Sequence, residues 1–201
     1  MIHSPVLAKQ RTVMMFTPQQ IDRDIRESPI MNFAYYFCTD LLDGLFVEFG
    51  VAGGNSIRRI ATLNPNKKIY GFDSFHGLPE RWGTLPKGHF ACDIPNNLPS
   101  NVELVVGLFD VTLPQFLSEH AGDVAFAHID CDLYASAKCV LDNLKPRLKP
   151  GSILAFDEIW AHANYQDYEA KAFAEFLNDT GFHYHCIGHF GADKAGFKLL
   201  R

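Results

Sequence analysis

The side chains best suited to chemistry in this sequence lie in one glycine-rich turn and in acidic residues further along the chain. The string FVEFGVAGGNS, at residues 46–56, joins an apolar run to the start of an amphipathic one. In such a strand–turn–helix segment, backbone N–H groups face the ligand that lies across the strand ends. A tight turn in some other α/β protein is the alternative. We predict a ligand-binding turn formed by Glu48, Gly50, Val51, Ala52, Gly54 and Ser56.

Two familiar functions of glycine turns are disfavoured by the residues themselves. A dinucleotide dehydrogenase requires the spacing G-x-G-x-x-G, but the turn has Ala52 and Asn55 at two of the relevant positions. A Walker-type phosphate site requires a lysine after the turn, and none follows here.

A second signal is the string YGFDSFHGLPE at residues 70–80. It places Asp73 and Ser74 at the carboxyl end of the next apolar run, about 20 residues beyond the turn. An acidic side chain there can accept hydrogen bonds from both hydroxyls of a ribose, which predicts an adenosine-type ligand. An aspartate that merely caps a turn is the alternative. Gly107 and Phe109 follow the third apolar run, where an adenine ring would lie, although Phe109 also fits an ordinary core.

Carboxylates follow the fourth and fifth apolar runs, in the strings AHIDCDLYAS and LAFDEIW. Carboxyl ends of adjacent parallel strands meet at one edge of a sheet, where their mutual repulsion requires a cation, protons or hydrogen-bond donors. A magnesium ion bound by these hard oxygen ligands would offset the repulsion between the carboxylates. In the alternative, Asp130 shapes a cofactor loop, Asp132 caps a helix, and the other two carboxylates are solvated. The predicted metal ligands are Asp130, Asp157 and Glu158.

A metal-bound hydroxyl still has to lose its proton, so the histidines are candidates for a general base. His162 follows the Asp157–Glu158 pair in a loop near the expected acceptor site. We therefore predict His162 as a catalytic residue. Asp130 is predicted as a catalytic residue as well. A lone loop histidine on the surface is the alternative reading of His162.

Short apolar runs alternate with amphipathic stretches from residue 45 onward, which predicts parallel strands joined by crossover helices. The last two runs are joined by four residues, too few for a crossover, so they should pair antiparallel. A long loop at residues 79–101 should cover the acceptor site, where Trp82 and Phe90 could line a pocket. In the helix near residues 168–177, Glu169 and Lys171 are expected to be solvated. The predicted strands are 45–49, 68–72, 102–106, 124–129, 152–156, 182–190 and 195–200, and the predicted helices are 18–26, 32–42, 56–63, 135–144 and 168–177.

Together these strings, with GLFDVTLPQFL and YEAKAFAEFL, resemble the macrocin O-methyltransferase (TylF-type) group of class I methyltransferases over residues 45–180. The resemblance implies S-adenosylmethionine (SAM) as cofactor, bound by the turn, Asp73, Ser74, Gly107, Phe109 and Asp130. It implies a doubly wound, Rossmann-like α/β fold with a seven-stranded, mostly parallel sheet and an antiparallel C-terminal hairpin. It also implies methyl transfer to a hydroxyl of a sugar or natural product, with Mg²⁺ held by acidic residues. A metal-independent methyltransferase with another acceptor and a SAM-binding protein without catalysis are the alternatives. Glu158 departs from the aspartate that is common at its position in the family.

The composition predicts one soluble domain. The chain has 201 residues, 47% of them hydrophobic, enough for one core and too few for two ordinary domains. We predict a helical cover over residues 1–44 and a SAM-binding core over residues 45–201. A net charge of −5 without a basic run disfavours nucleic-acid and membrane partners and favours a small-molecule acceptor. A cytoplasmic location is expected, and a homo-oligomer through the N-terminal helices is compatible with the sequence.

Overall fold

The computed structural model describes residues 15–31 and 43–201, so the predicted helix at 32–42 and most of the N-terminal cover lie outside the described residues. The described part contains seven strands and five α-helices. The strands are β1 (Leu45–Phe49), β2 (Ile69–Asp73), β3 (Val102–Val106), β4 (Val124–Ile129), β5 (Ile153–Phe156), β6 (His183–Phe190) and β7 (Lys194–Leu200). The helices are α1 (Pro18–Arg26), α2 (Asn55–Leu63), α3 (Phe109–Glu119), α4 (Tyr134–Leu144) and α5 (Glu169–Thr180).

All seven strands form one sheet in the order β3-β2-β1-β4-β5-β7-β6. β1 to β5 run parallel, while β7 is antiparallel to both β5 and β6. The predicted fold is therefore confirmed, including its antiparallel C-terminal pair. The strand order reverses between β1 and β4, and in open α/β sheets such a reversal opens a crevice at the carboxyl ends of the strands.

Helices cover both faces of the sheet, which explains why the central strands are continuous apolar runs. Every residue of β4 is buried, including a histidine, as expected for a parallel strand that is covered on both sides. One core cluster packs α2 against β1, β2 and β4 through Ile57 and Ile60. The other joins α1, α3, α4 and α5 to the opposite face, with Phe173 and Phe156 at 5.0 Å between ring centroids.

Local residues explain where α1 begins. One of the other helices is not predicted from the sequence. α1 begins as expected, because Thr17 accepts a hydrogen bond from the Gln20 N–H and Pro18 occupies the first turn. α3 is the missed helix, and Pro114 inside it is a residue that usually argues against a helix interior. Within the described part, no helix is long and apolar enough to cross a membrane.

Candidate active site

A cavity of about 500 Å³ opens at the carboxyl ends of the parallel strands. Its wall is formed by the turn after β1, the end of β2, the start of α3 and the loops after β4 and β5. The crevice predicted by the strand order is therefore present. The predicted site residues in this wall are Gly50, Ala52, Asp73, Ser74, Gly107, Phe109, Asp130 and Glu158.

The glycine turn owes its shape to backbone conformations that favour glycine. Gly50 has φ +93°, and a Cβ there would lie 1.7 Å from the Asp130 carbonyl oxygen. Gly54 has φ +80° and caps the start of α2. Ala52 has φ +43°, so this alanine adopts a conformation that most side chains avoid. The turn lies directly against the loop after β4, so the glycine turn and the acidic residues share one wall.

Asp73 holds this turn and also faces the cavity. Its Oδ2 accepts hydrogen bonds from the N–H groups of Val51 and Ala52, both at 2.8 Å. Its Oδ1 accepts a third from the Phe75 N–H at 2.8 Å. Capping a turn was the alternative to ribose binding, and the geometry shows that capping does occur. Each carboxylate oxygen carries further lone pairs, so the predicted contact with a ribose is compatible with these bonds.

Glu48 lies behind the cavity wall and is fully buried. Its Oε1 is 2.8 Å from Nδ1 of His128, which is also fully buried. Burial raises the pKa of Glu48, while contact with His128 opposes that rise. Burial would lower the pKa of His128, but its contacts with Asp157 and Glu48 outweigh this effect and raise the pKa to about 10.

Four residues of the predicted cofactor set lie outside the cavity wall as it stands. Glu48, Val51 and Gly54 are buried, and Ser56 is half-buried in the first turn of α2. These four shape the turn in this structure. Their direct contact with a cofactor stays a prediction.

The acidic residues after β4 and β5 do come together, but they divide into two groups. Glu158 hydrogen-bonds Asp132, and both line the cavity; burial and this bond raise the pKa of Glu158 to about 10. Asp157 instead pairs with Lys194 through Oδ2, and its Oδ1 lies 3.7 Å from Nε2 of His128.

The charges of these groups depend on burial and on their neighbours. Burial and the neighbouring Asp157 raise the pKa of Asp130 well above its usual range. Burial would raise the pKa of Asp157 too, but the contacts with His128 and Lys194 outweigh it and lower that pKa. Ligand atoms of His128, Asp130 and Asp157 lie within 4.8 Å of one another. The cluster closest to a metal-ligand arrangement in the described residues thus contains His128 where the prediction has Glu158.

Glu169 corrects the prediction that this side chain is solvated. It is fully buried, and its Oε1 accepts from the Cys131 N–H at 3.2 Å while Oε2 accepts from the Glu158 N–H at 3.3 Å. Those two residues belong to the loops after β4 and β5. Glu169 therefore ties the two acidic loops together, a role that its position on an amphipathic helix did not reveal. Lys171 is exposed as expected and lies over the Tyr134 ring.

His162 lies beside the acidic loops, but its nitrogens face the backbone. Nε2 is 2.9 Å from the Glu158 carbonyl oxygen, and Nδ1 is 3.2 Å from the Ala163 carbonyl oxygen. A general base must direct a lone pair at its substrate. The predicted role of His162 as base therefore requires the ring to turn, and it stays a prediction.

The long loop after β2 covers one side of the cavity, as its position in the sequence predicts. Leu78, Pro79 and Phe90 contribute to the wall. Trp82 instead packs against His162 and Tyr168, with ring centroids 6.2 and 6.1 Å away. Of the two aromatic residues considered for the acceptor pocket, Phe90 therefore lines the cavity and Trp82 anchors the loop.

A family model described as a methyltransferase domain matches residues 47–159, more than half of the chain. The chain belongs to this methyltransferase family. The matched segment runs from the glycine turn through the loop after β5, and so contains all the residues that line the cavity. At the level of family and fold, this match confirms the prediction of a class I, SAM-dependent enzyme.

Among characterised proteins, the methyltransferase is similar to 8-demethyl-8-(2,3-dimethoxy-alpha-L-rhamnosyl)-tetracenomycin-C 4'-O-methyltransferase of Streptomyces olivaceus. The two are 31% identical over 155 residues, which cover 63% of this chain and 58% of the relative. Of the solved structures, a calicheamicin methyltransferase, CalS11, superposes with a TM-score of 0.63 at 24% identity over 90% of this chain and 76% of that chain. The O-methyltransferase NovP gives a TM-score of 0.59 at 20% identity over 92% and 78%. At these identities the two structures establish the fold.

Proposed function

We propose that this chain transfers a methyl group from SAM to a hydroxyl of a small molecule of sugar or natural-product type. The observation that carries the proposal is one cavity walled by both a cofactor-type glycine turn and carboxyl groups. The similarity to an O-methyltransferase that acts on a rhamnosyl group supports the acceptor class. The chain spans 58% of that relative, so the acceptor itself is inferred at the level of chemical class.

The cofactor would bind with its methionine part over the glycine turn and its ribose at Asp73. Phe109 lies in the same wall and offers an apolar ring for the adenine. The acceptor would occupy the part of the cavity that Asp130, Asp132 and Glu158 line.

The reaction needs a nucleophilic oxygen and a place for its proton. When bound, SAM would supply the methyl group: the acceptor oxygen would form a bond to the methyl carbon while the carbon–sulfur bond breaks and its electron pair stays on sulfur, which would give S-adenosylhomocysteine (SAH). The hydroxyl proton passes to a carboxylate, for which we propose Asp130 because it lines the cavity at the carboxyl end of β4. A carboxylate within reach of the hydroxyl can act as a general base. The positive sulfonium is neutralised in the transition state, which favours a cavity shielded from water.

The predicted magnesium ligands do not fit a metal ion as they stand. Asp157 is already paired with Lys194, and Glu158 is bonded to Asp132. An ion would have to displace an ammonium group and break a carboxyl pair. We therefore propose a reaction without a metal-dependent step, and the pairing of Asp157 with Lys194 is the observation that favours it.

The test is methyl transfer from radiolabelled SAM to a panel of free and nucleotide-linked deoxysugars, beside SAH titration by calorimetry. We expect micromolar SAH binding and turnover of at least one acceptor that carries a free hydroxyl. Asp130→Asn should keep SAH binding within about tenfold and lower turnover by 10²-fold or more, as expected for loss of a general base. Binding of SAH with no transfer by any panel member would favour a SAM-binding protein without this activity. No SAH binding would contradict the cofactor assignment.

A further inference from the structure

Lys194 begins β7 at the point where that strand reaches the acidic edge of the sheet. In the antiparallel pairing of β5 with β7, Phe156 is opposite Ala195, so the next residues in register are Asp157 and Lys194. The Ile159 N–H also donates to the Asp193 carbonyl oxygen at 3.0 Å, which fixes the hairpin against the loop after β5. The pairing of the two backbones therefore places the Lys194 ammonium group next to Asp157.

The pair is far less exposed than an ordinary surface ion pair. The side chains of Lys194 and Asp157 are 23% and 19% exposed. With His128 on its other side, the Asp157 carboxylate lies between two groups that can carry positive charge.

A metal ion would need the same carboxylate. Asp157 has ligand atoms within 4.8 Å of those of Asp130 and His128, close enough for one ion to reach all three. The Lys194 ammonium carries the charge that a cation would bring to this place. Occupation by Lys194 and occupation by a divalent ion therefore exclude each other unless the lysine withdraws.

We propose that Lys194 is the resident cation of this carboxylate cluster and takes the place of a divalent metal ion. This inference rests on the proposed function for its catalytic consequence, since it makes methyl transfer independent of added metal. Lys194 acts as a positioning residue: its ion pair holds the Asp157 carboxylate close to Asp130. Its removal should convert the cluster into a site that binds a divalent cation.

The experiment compares Mn²⁺ binding, followed by electron paramagnetic resonance, in the wild type and in Lys194→Met. Methionine keeps much of the length and removes the charge. Lys198→Met is the matched control, because Lys198 lies on the same strand opposite Ile153, at the other end of β5. Lys194→Arg, which keeps the charge, should behave as the wild type, and Lys194→Gln replaces the methionine variant if that variant does not fold.

We expect millimolar or weaker Mn²⁺ binding by the wild type and by Lys198→Met, and binding at least tenfold tighter by Lys194→Met. Turnover of the wild type should be unchanged by EDTA, while Lys194→Met should lose at least tenfold in EDTA and recover with Mg²⁺. Micromolar Mn²⁺ binding by the wild type, or no gain in Lys194→Met, would overturn the proposal. Absence of turnover in every protein would count against the proposed function alone, because the Mn²⁺ result stands without it.

Discussion

Replacing Asp73 by asparagine tests whether one carboxylate both shapes the glycine turn and holds the cofactor. Asp73 accepts three backbone hydrogen bonds at 2.8 Å, two of them from Val51 and Ala52 in the turn. Asparagine has one acceptor oxygen and one amide group. In either orientation, the amide must face at least one N–H donor, and the remaining bonds lose the help of the negative charge.

The cost follows from the number of bonds. Hydrogen bonds to a charged group contribute about 1.5–3 kcal/mol each, so losing one and weakening two should cost roughly 2–4 kcal/mol. For a chain of this size, that lowers the melting temperature by roughly 5–15 °C. If the turn must also re-form to bind SAH, 2 kcal/mol corresponds to a roughly 30-fold weaker Kd.

The assay is thermal unfolding by circular dichroism together with calorimetric titration of SAH. Asp93→Asn is the control, because it makes the same chemical change at an exposed position of the long loop. It should shift the melting temperature by less than about 2 °C, within the usual range for surface substitutions. If Asp73→Asn matches this control in both measurements, then the turn does not depend on the carboxylate and the cofactor assignment of Asp73 is wrong.

Other substitutions probe the packing beneath the site. Gly50→Ala places a Cβ 1.7 Å from the Asp130 carbonyl oxygen at φ +93°, so urea unfolding should show a loss of at least about 3 kcal/mol; a near-native value would mean that the two loops move apart freely. Because the pKa of His128 is raised to about 10, its contribution to stability is complete below pH 6.5 and is lost as the pH rises through about 10. His128→Gln should flatten that dependence, and an unchanged slope would show that other groups cause it. Glu169→Ala removes the acceptor of the Glu158 N–H and should destabilise the protein by about 1–3 kcal/mol, with Glu169→Gln intermediate; equal unfolding curves for all three proteins would contradict the tie between the acidic loops.

The positions of the strands and of most helices could be predicted because the sequence patterns that indicate them are local. Apolar runs mark β1 to β5, and the short connection before β7 excludes a parallel crossover. The exception is α3, where Pro114 hides a helix that packing against the sheet stabilises through Leu113 and Phe116. A propensity rule fails there because burial of these side chains outweighs the lost hydrogen bond.

The parts of the candidate site that lie within a sequence motif could be predicted. The parts formed by contacts between residues far apart in the chain could not. Spacing alone identified the glycine turn and the acidic edge. The pairing of Glu48 with His128 joins residues 80 positions apart, and Glu169 looks in sequence like any charged residue at the start of a helix. No local pattern distinguishes such buried charges from solvated ones.

The sequence by itself determined the class of fold, the glycine turn that lines the cavity, and the convergence of carboxylates at one edge, because each depends on short spacings and on the parallel direction of neighbouring strands. Only the tertiary structure decided how those carboxylates are neutralised. The register of β7 against β5 brings Lys194 to Asp157, and the close approach of two loops pairs Asp132 with Glu158. Charge in a buried site depends on which groups meet, and that is set by packing over the whole chain.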